Sequence, residues 1–222
     1  MSRTISYEEI QQNEEIKTYI TGADRVLASM GYTNHSYGHV MKVAETVKEI
    51  LTKFGYSERE INLGQIAAYM HDIGNGINRM THAHTGALMA FNILTRLEME
   101  PKDISLIIGA IGNHDETSSY PISPIAASLI VADKSDVRRS RVRDPETRTE
   151  NIHDRVNYAV VESNLEVNAE KRELTLNLTL DTTITPVIDY FEIFLTRMNL
   201  CRNAAEKLDA TFKLIINGLE LI

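Results

Sequence analysis

Apolar residues recur at three- and four-residue intervals in one segment after another up to about Lys134, and this spacing constrains the fold more than any other feature. Ser6 with Glu9 is typical of a capping box, in which the two side chains close the first turn of a helix. A second such pair, Ser57 with Glu60, predicts the start of a later helix. The pattern therefore predicts a mainly α-helical region built from several amphipathic helices.

The periodicity changes in the last third of the chain. Residues 165–167 and 174–180 alternate apolar and polar side chains, which is the two-residue period of a half-buried strand. Residues 168–172 between them are typical of a hairpin turn, and residues 212–221 predict a last strand. The end of the chain is thus predicted to form a small sheet.

These patterns divide the chain into three predicted parts. Residues 1–136 form a helical domain, residues 137–155 a basic connector, and residues 156–222 a small α+β appendage. Within the appendage, two helices are predicted to start at Pro186 and at about Arg202. The connector has few apolar residues, and it holds Arg138, Arg139, Arg141, Arg143 and Arg148. The predicted fold class is mainly α with a small C-terminal α+β appendage.

The composition limits which partners the protein is expected to bind and in which cellular compartment it is expected to occur. A formal net charge of −8 argues against binding of nucleic-acid polymers, which need a positive face. The single cysteine, Cys201, excludes an internal disulfide framework and fits a reducing compartment. No apolar run approaches the roughly 20 residues of a membrane helix, so we expect a cytoplasmic protein without membrane contact. The few strands of the appendage cannot cover both faces alone, which favours a homodimer.

Several predicted helices place a histidine or an aspartate on their apolar face near a helix end. They are His39, His71, His84, His114 and Asp133. A lone histidine of this kind is usually structural, but an unpaired buried polar group costs about 1–3 kcal/mol, so five coincidences are less expected than one shared partner. A divalent metal ion is that partner, because imidazole and carboxylate together suit iron, manganese, zinc, nickel or cobalt.

Two details of this set depend on local geometry. Asp72 follows His71 and can reach the same site only where the helix ends, which Gly74 and Gly76 favour. His84 precedes Ala87, Leu88 and Phe91 at helical spacing, and this pattern favours His84 over the neighbouring His82 as a ligand.

The order His39, then His71 with Asp72, then Asp133 resembles the HD-domain superfamily of metal-dependent phosphohydrolases. The resemblance covers about residues 30–136 and is carried by the segments HVMKVA, MHDIGN and VADKSD. It implies a helical HD-domain bundle in which these four residues hold one metal ion. A second His-Asp pair at 153–154 lacks a preceding histidine helix and is interpreted as structural or peripheral.

Some branches of that superfamily add two histidines between the His-Asp pair and the last aspartate, and these branches hold two metal ions. His84 in HAHTGA and His114 in GNHDE lie in this interval. The resemblance therefore implies a six-ligand, dinuclear site with Asp72 as the bridge. The expected cofactors are one or two divalent ions of iron, manganese, zinc, nickel, cobalt or magnesium.

The activity that the resemblance implies is attack of metal-activated hydroxide on a small phosphorylated metabolite or nucleotide. Asp72 would steer the nucleophile, Lys134 would offset phosphate charge, and Asp115 and Glu116 are candidates for proton transfer. The cations expected to bind the substrate are Arg79, Lys134, Arg138 and Arg141.

Two other functions fit the same ligands. The six-ligand arrangement also resembles the diiron oxygenases of the myo-inositol oxygenase type, whose chemistry depends on the redox state of iron. A non-catalytic ligand sensor is the third interpretation, although loss of some ligands would then be expected.

Overall fold

The computed structural model describes residues 3–116, 119–143 and 152–222 and contains a helical region followed by a small sheet with its own helices. The helices are α1 (Tyr7–Gln12), α2 (Glu14–Ser29), α3 (Tyr37–Lys53), α4 (Glu58–Met70), α5 (His82–Arg96), α6 (Pro101–Gly112), α7 (Pro124–Ser135), α8 (Ile152–Ala159) and α9 (Val187–Lys207). The strands are β1 (Val160–Asn168), β2 (Glu173–Leu180), β3 (Thr211–Ile216) and β4 (Leu219–Glu220), and short 3-10 turns cover Ile73–Gly76 and Arg139–Arg141.

Side-chain caps fix the starts of two helices in the first half of the chain. The Ser6 hydroxyl accepts a hydrogen bond from the Glu9 backbone N–H, and the Glu9 carboxylate accepts one from the Ser6 N–H. Ser57 and Glu60 form the same reciprocal pair at the start of α4. Both predicted capping boxes are confirmed, and each satisfies backbone donors that the first turn leaves unpaired.

Two apolar clusters make up the core, and α7 belongs to both. The first cluster joins α1 to α7 and includes Leu129, whereas the second joins α7 to the sheet and α9 and includes Ile130 and Val131. Since α7 is buried on nearly all sides, it is the central element of the molecule. Its C-terminal end, where Asp133 lies, therefore stands at the seam between the helical region and the sheet.

The sheet has the strand order β1-β2-β3-β4. β1 and β2 form an antiparallel hairpin, β2 and β3 are parallel, and β3 and β4 are antiparallel. The parallel pair needs a crossover, which α9 supplies while covering the apolar face of β2. The hairpin of β1 and β2 is confirmed. The single strand predicted over residues 212–221 is corrected to two strands, β3 and β4, because Asn217 and Gly218 adopt positive φ angles and turn the chain between them.

One further detail of the prediction is corrected. The helices predicted from Pro186 and from Arg202 are one continuous helix, α9, because the intervening residues include no glycine or proline to end it. Residues 137–143 pack against the fold and bury Val137 and Val142, and α8 already begins at Ile152, inside the predicted connector.

Residues 144–151 of the predicted connector, with Arg148, lie outside the described residues. The boundaries at 136 and 155 stay predictions, as does the homodimer. The mainly α fold class with a small C-terminal α+β part is confirmed. In the described parts of the chain, no helix is both long and apolar enough to cross a membrane.

Candidate metal centre

The ends of five helices meet at one buried point, and each contributes polar side chains to it. His39 lies in the first turn of α3, His71 caps the end of α4, His82 begins α5, His114 follows α6, and Asp133 lies in the last turn of α7. Asp72 follows His71 as the chain leaves α4 for the 3-10 turn. All of these side chains are buried except that of Asp133, which is 12% exposed.

A close backbone approach holds two of these elements together. A Cβ atom at Gly74 would lie 2.1 Å from the carbonyl oxygen of His82 and 2.4 Å from the backbone nitrogen of Gly86. Only glycine allows the turn after His71-Asp72 to press against the first turn of α5 in this way. The contact brings His82 opposite Asp72.

Hydrogen bonds determine which ring nitrogen of each histidine faces the centre. In His71, His82 and His114, Nδ1 lies 2.7, 2.8 and 2.6 Å, respectively, from the carbonyl oxygen three residues earlier. In His39, Nδ1 lies 2.8 Å from Oδ2 of Asp136. Carbonyl and carboxylate oxygens accept hydrogen bonds, so each Nδ1 carries the proton and donates it. The Nε2 atoms of all four rings therefore face the centre, where those of His82 and His114 lie 3.2 Å apart.

Asp72 faces these histidines through two different oxygens. Its Oδ2 lies 3.3 Å from Nε2 of His71 and 3.8 Å from Nε2 of His39. Its Oδ1 lies 3.7 Å from Nε2 of His82 and 4.0 Å from Nε2 of His114. One carboxylate thus stands between two pairs of imidazoles.

These donors fit a divalent metal ion. Three groups have ligand atoms within 4.8 Å of one another: His39 with His71 and Asp72, His71 with His114 and Asp133, and Asp72 with His82 and His114. Nε2 of His39 and Nε2 of His71 are buried and have no hydrogen-bond partner among the described residues. Buried nitrogen lone pairs beside carboxylates are the donor set of iron, manganese and zinc sites, and an ion would satisfy them.

Electrostatics keeps His114, Asp72 and Asp133 in the protonation states that bind a cation. Burial, together with the nearby His71, lowers the pKa of His114 to about 3, so its imidazole is neutral at neutral pH. Burial alone would raise the pKa of Asp72, but the neighbouring His71 outweighs it and holds that pKa well below its usual range. Lys134 and His39 act in the same direction against burial on the pKa of Asp133. Both carboxylates are therefore charged near neutral pH.

His84 is not part of the centre, and His82 takes its place. His84 is exposed, whereas His82 is buried with its Nε2 3.2 Å from Nε2 of His114. The sequence pattern favours His84 because it aligns with Leu88 and Phe91, yet these side chains are 69% and 49% exposed. The buried face of α5 is the other one, with small residues at its start, and His82 lies on that face.

Three of the four cations expected to bind the substrate lie at the metal centre. Arg79, Lys134 and Arg141 line the small space beside Asp72 and Asp133. Lys134 also places its Nζ 2.7 Å from Oδ2 of Asp133.

Arg138 lies behind the centre instead, and its expected role in substrate binding stays a prediction. Its Nη2 donates to Oδ2 of Asp136 at 3.0 Å, and it lines none of the described cavities. Arg138 therefore supports the carboxylate that orients His39, because Asp136 accepts from both.

Two further residues lie at the centre but are not predicted from the sequence pattern. Asp136 carries a signal in the VADKSD segment, where a second aspartate follows Asp133 by three residues, although nothing there shows that it contacts His39. Arg197 reaches the same small space from α9 and is paired with Glu116. Asp115, the other acid named for proton transfer, has Oδ1 3.8 Å from Nε2 of His82.

Comparison with known proteins places this geometry in a family. The HD domain profile matches residues 36–149, just over half of the chain. An uncharacterized protein of Methanocaldococcus jannaschii is 27% identical over 161 residues, which are 63% of this chain and 62% of that protein's length. A crystal structure described as a predicted HD superfamily hydrolase, from an uncultured Thermotogales bacterium, matches with 24% identity and a TM-score of 0.44, over 56% of this chain and 67% of that one. The HD domain match shows that the chain belongs to the HD domain family, and its buried histidines and carboxylates form groups that could hold a metal ion.

Proposed function

We propose that this protein is a phosphohydrolase that uses two divalent metal ions to cleave a small phosphorylated metabolite or nucleotide. The position of Asp72 carries the proposal: one carboxylate oxygen faces His39 and His71, and the other faces His82 and His114. A carboxylate between two pairs of imidazole nitrogens is the arrangement expected of a bridging ligand.

The proposed ligands divide into two sets. His39, His71, Asp72 and Asp133 would hold one ion, and Asp72, His82 and His114 would hold the other. Asp133 joins the first set because its Oδ1 lies 3.2 Å from Nε2 of His39 and 3.8 Å from Nε2 of His71. This assignment keeps six ligands but exchanges His84 for His82.

Divalent ions bound here would lower the pKa of a coordinated water and neutralise charge on phosphoryl oxygens. The chain supplies the rest of the chemistry. Asp72 and Asp133, whose pKa values are held low, stay ionised and accept hydrogen bonds from a nucleophilic water. Lys134 and Arg141 line the same space and place positive charge where phosphoryl oxygens would gather.

To test hydrolysis, the full chain is reconstituted with manganese or magnesium in the absence of oxygen. It is then assayed with a panel of phosphate esters and nucleotides. We expect release of phosphate or a nucleoside monophosphate, because attack by metal-activated water needs no redox change. Arg141→Ala should raise KM more than it lowers kcat, since ground-state phosphate binding is its expected role. The variant His71→Ala is the inactive control.

The other outcomes would overturn the proposal. Activity that requires iron and consumes oxygen would show an oxygenase. Tight metal binding without turnover of any ester in either condition would favour a ligand sensor.

A further inference from the structure

A cavity of about 300 Å³ lies next to the metal centre, and both halves of the chain build it. The helical region contributes residues such as Tyr32, Arg79 and Arg141, and the C-terminal region contributes Asn157, Phe194 and Arg197. This volume is at the lower end of the range for small-molecule sites, which is about 300–1,000 Å³. The cavity is therefore sized for a small metabolite, and the helical region alone does not enclose it.

The cavity adjoins the space at the metal ligands and shares four lining residues with it. His35, Arg79, Arg141 and Arg197 line both the cavity and the narrow space of about 20 Å³ that also contacts Asp72 and other ligands. We call the narrow space the inner chamber and the cavity of about 300 Å³ the outer chamber. A group bound at the metal centre can extend only a short way before its remainder enters the outer chamber.

Two arginines stand where the chambers join, and each is held against an aromatic ring. The guanidinium of Arg197 lies 4.7 Å from the ring centroid of Phe194 and forms an ion pair with Glu116. The guanidinium of Arg79 lies 5.4 Å from the ring centroid of Tyr32. Side chains that are fixed before binding lose little conformational freedom when a ligand arrives, so both arginines are prepared to bind an anion.

The two chambers differ in charge. Among the described residues, the inner chamber is lined by four cations and by two carboxylates. The cations are Arg79, Lys134, Arg141 and Arg197, and the carboxylates are Asp72 and Asp133. The outer chamber adds three acids and one amide, which are Asp115, Glu116, Asp154 and Asn157. The inner chamber suits an anion, and the outer chamber offers acceptors to hydroxyl or amino groups.

We propose that Arg197 of the C-terminal region binds the substrate phosphate and that the outer chamber holds the attached organic group. The substrate class is a phosphate ester of a small group rich in hydrogen-bond donors, such as a sugar or a nucleoside. This inference rests on the proposed hydrolase function, but binding can be measured without turnover.

The test uses the manganese-loaded full chain and calorimetric titration with three probes. The probes are inorganic phosphate and the methylenephosphonate analogues of ribose 5-phosphate and adenosine 5′-monophosphate, in which carbon replaces the ester oxygen and prevents hydrolysis. At least one analogue should bind about tenfold or more tightly than inorganic phosphate, because its organic group occupies the outer chamber. The analogue with the larger gain in affinity over inorganic phosphate shows whether the organic group is a sugar or a nucleoside.

Single substitutions distinguish binding in the inner chamber from binding in the outer chamber. Arg197→Ala should weaken all three probes by about 10- to 100-fold, the effect of losing a charge-assisted hydrogen bond. Asn157→Ala should weaken the tighter analogue by about 2- to 10-fold and leave inorganic phosphate unchanged, because its amide reaches only the outer chamber. Arg202→Ala, an exposed position on the same helix α9, is the matched control and should change nothing. Arg197→Lys keeps the charge and replaces Arg197→Ala in the titrations if Arg197→Ala does not fold.

Unchanged affinity of Arg197→Ala for every probe would overturn the role of Arg197. Two analogues that bind no more tightly than inorganic phosphate would overturn the role of the outer chamber. Either result leaves the hydrolase proposal intact if esters are still cleaved. Conversely, the expected binding pattern without cleavage of any ester would reject the hydrolase and keep the binding site.

Discussion

The helical region and the C-terminal region bury different kinds of side chain. The helical region buries His39, His71, Asp72, His82 and His114 at one point of a core whose other buried side chains are mostly apolar. In residues 152–222, the buried polar side chains are Asn157 and Thr185, and the rest of the interior is apolar. Buried polar groups cost stability unless they are satisfied, so the first region is built around a ligand and the second around packing. Substitutions in the two regions should therefore separate function from stability.

The largest functional effect is expected from the centre of the first region. His71→Ala should abolish metal binding and hydrolysis, because His71 belongs to two of the three groups of ligand atoms. The fold should survive, since the substitution removes a polar group whose Nε2 already lacks a partner among the described residues. Elemental analysis and circular dichroism measure the two properties. Unchanged metal content would contradict the site.

The opposite result is expected in the second region. Leu176 is fully buried between the hairpin and α9, and Leu176→Ala should lower the free energy of unfolding by about 2–5 kcal/mol. The folded fraction should still bind metal as the wild type does. Leu195→Ala on the half-exposed side of α9 is the control and should cost about 0.5 kcal/mol or less. Denaturant titration with and without manganese measures both effects. Loss of metal from the folded Leu176→Ala variant would contradict the distinction between the two regions.

A smaller effect is expected behind the metal ligands. Asp136 accepts the Nδ1 proton of His39, and Asp136→Asn should weaken metal binding by about 10- to 100-fold without emptying the site. The charge of Asp136 stabilises the orientation of the ring, whereas asparagine leaves only a neutral acceptor. Titration with manganese gives the affinity. An affinity equal to that of the wild type would show that Asp136 serves only the neighbouring arginines.

The smallest effect is a dependence on pH. Burial alone would lower the pKa of His71, but Asp72 and Asp133 outweigh it and raise that pKa above its ordinary value of 6.5. A metal ion must displace the proton, so its affinity should fall by up to about tenfold per pH unit as the pH decreases through this raised pKa and level off above it. Manganese titrations between about pH 6 and 9 measure the slope. An affinity that rises towards acidic pH would contradict the sign.

Much of the fold and most of the centre follow from local patterns. His39, His71, His114 and Asp133 could be identified because each lies at one end of an apolar, helically spaced segment, and Asp72 because the helix stops beside it. The capping boxes and the hairpin are equally local. Such features depend on neighbours in the sequence, so a single chain reveals them.

The remaining residues depend on contacts that the sequence does not show. The choice between His82 and His84 is decided by which face of α5 packs against the turn at Gly74, and exposed apolar residues conceal that face. Arg197 reaches the centre from α9, far along the chain, and its helix carries no sign of the contact. Arg138 has the expected charge but turns towards Asp136.

Counting the metal ions in the wild type, His82→Ala and His84→Ala tests the central claim most directly. The two variants lose the same side chain two positions apart, one buried against Asp72 and His114 and the other exposed. Elemental analysis after saturation with manganese should find about two ions per chain in the wild type and in His84→Ala, and about one in His82→Ala. A full complement in His82→Ala together with a loss in His84→Ala would contradict the proposed centre.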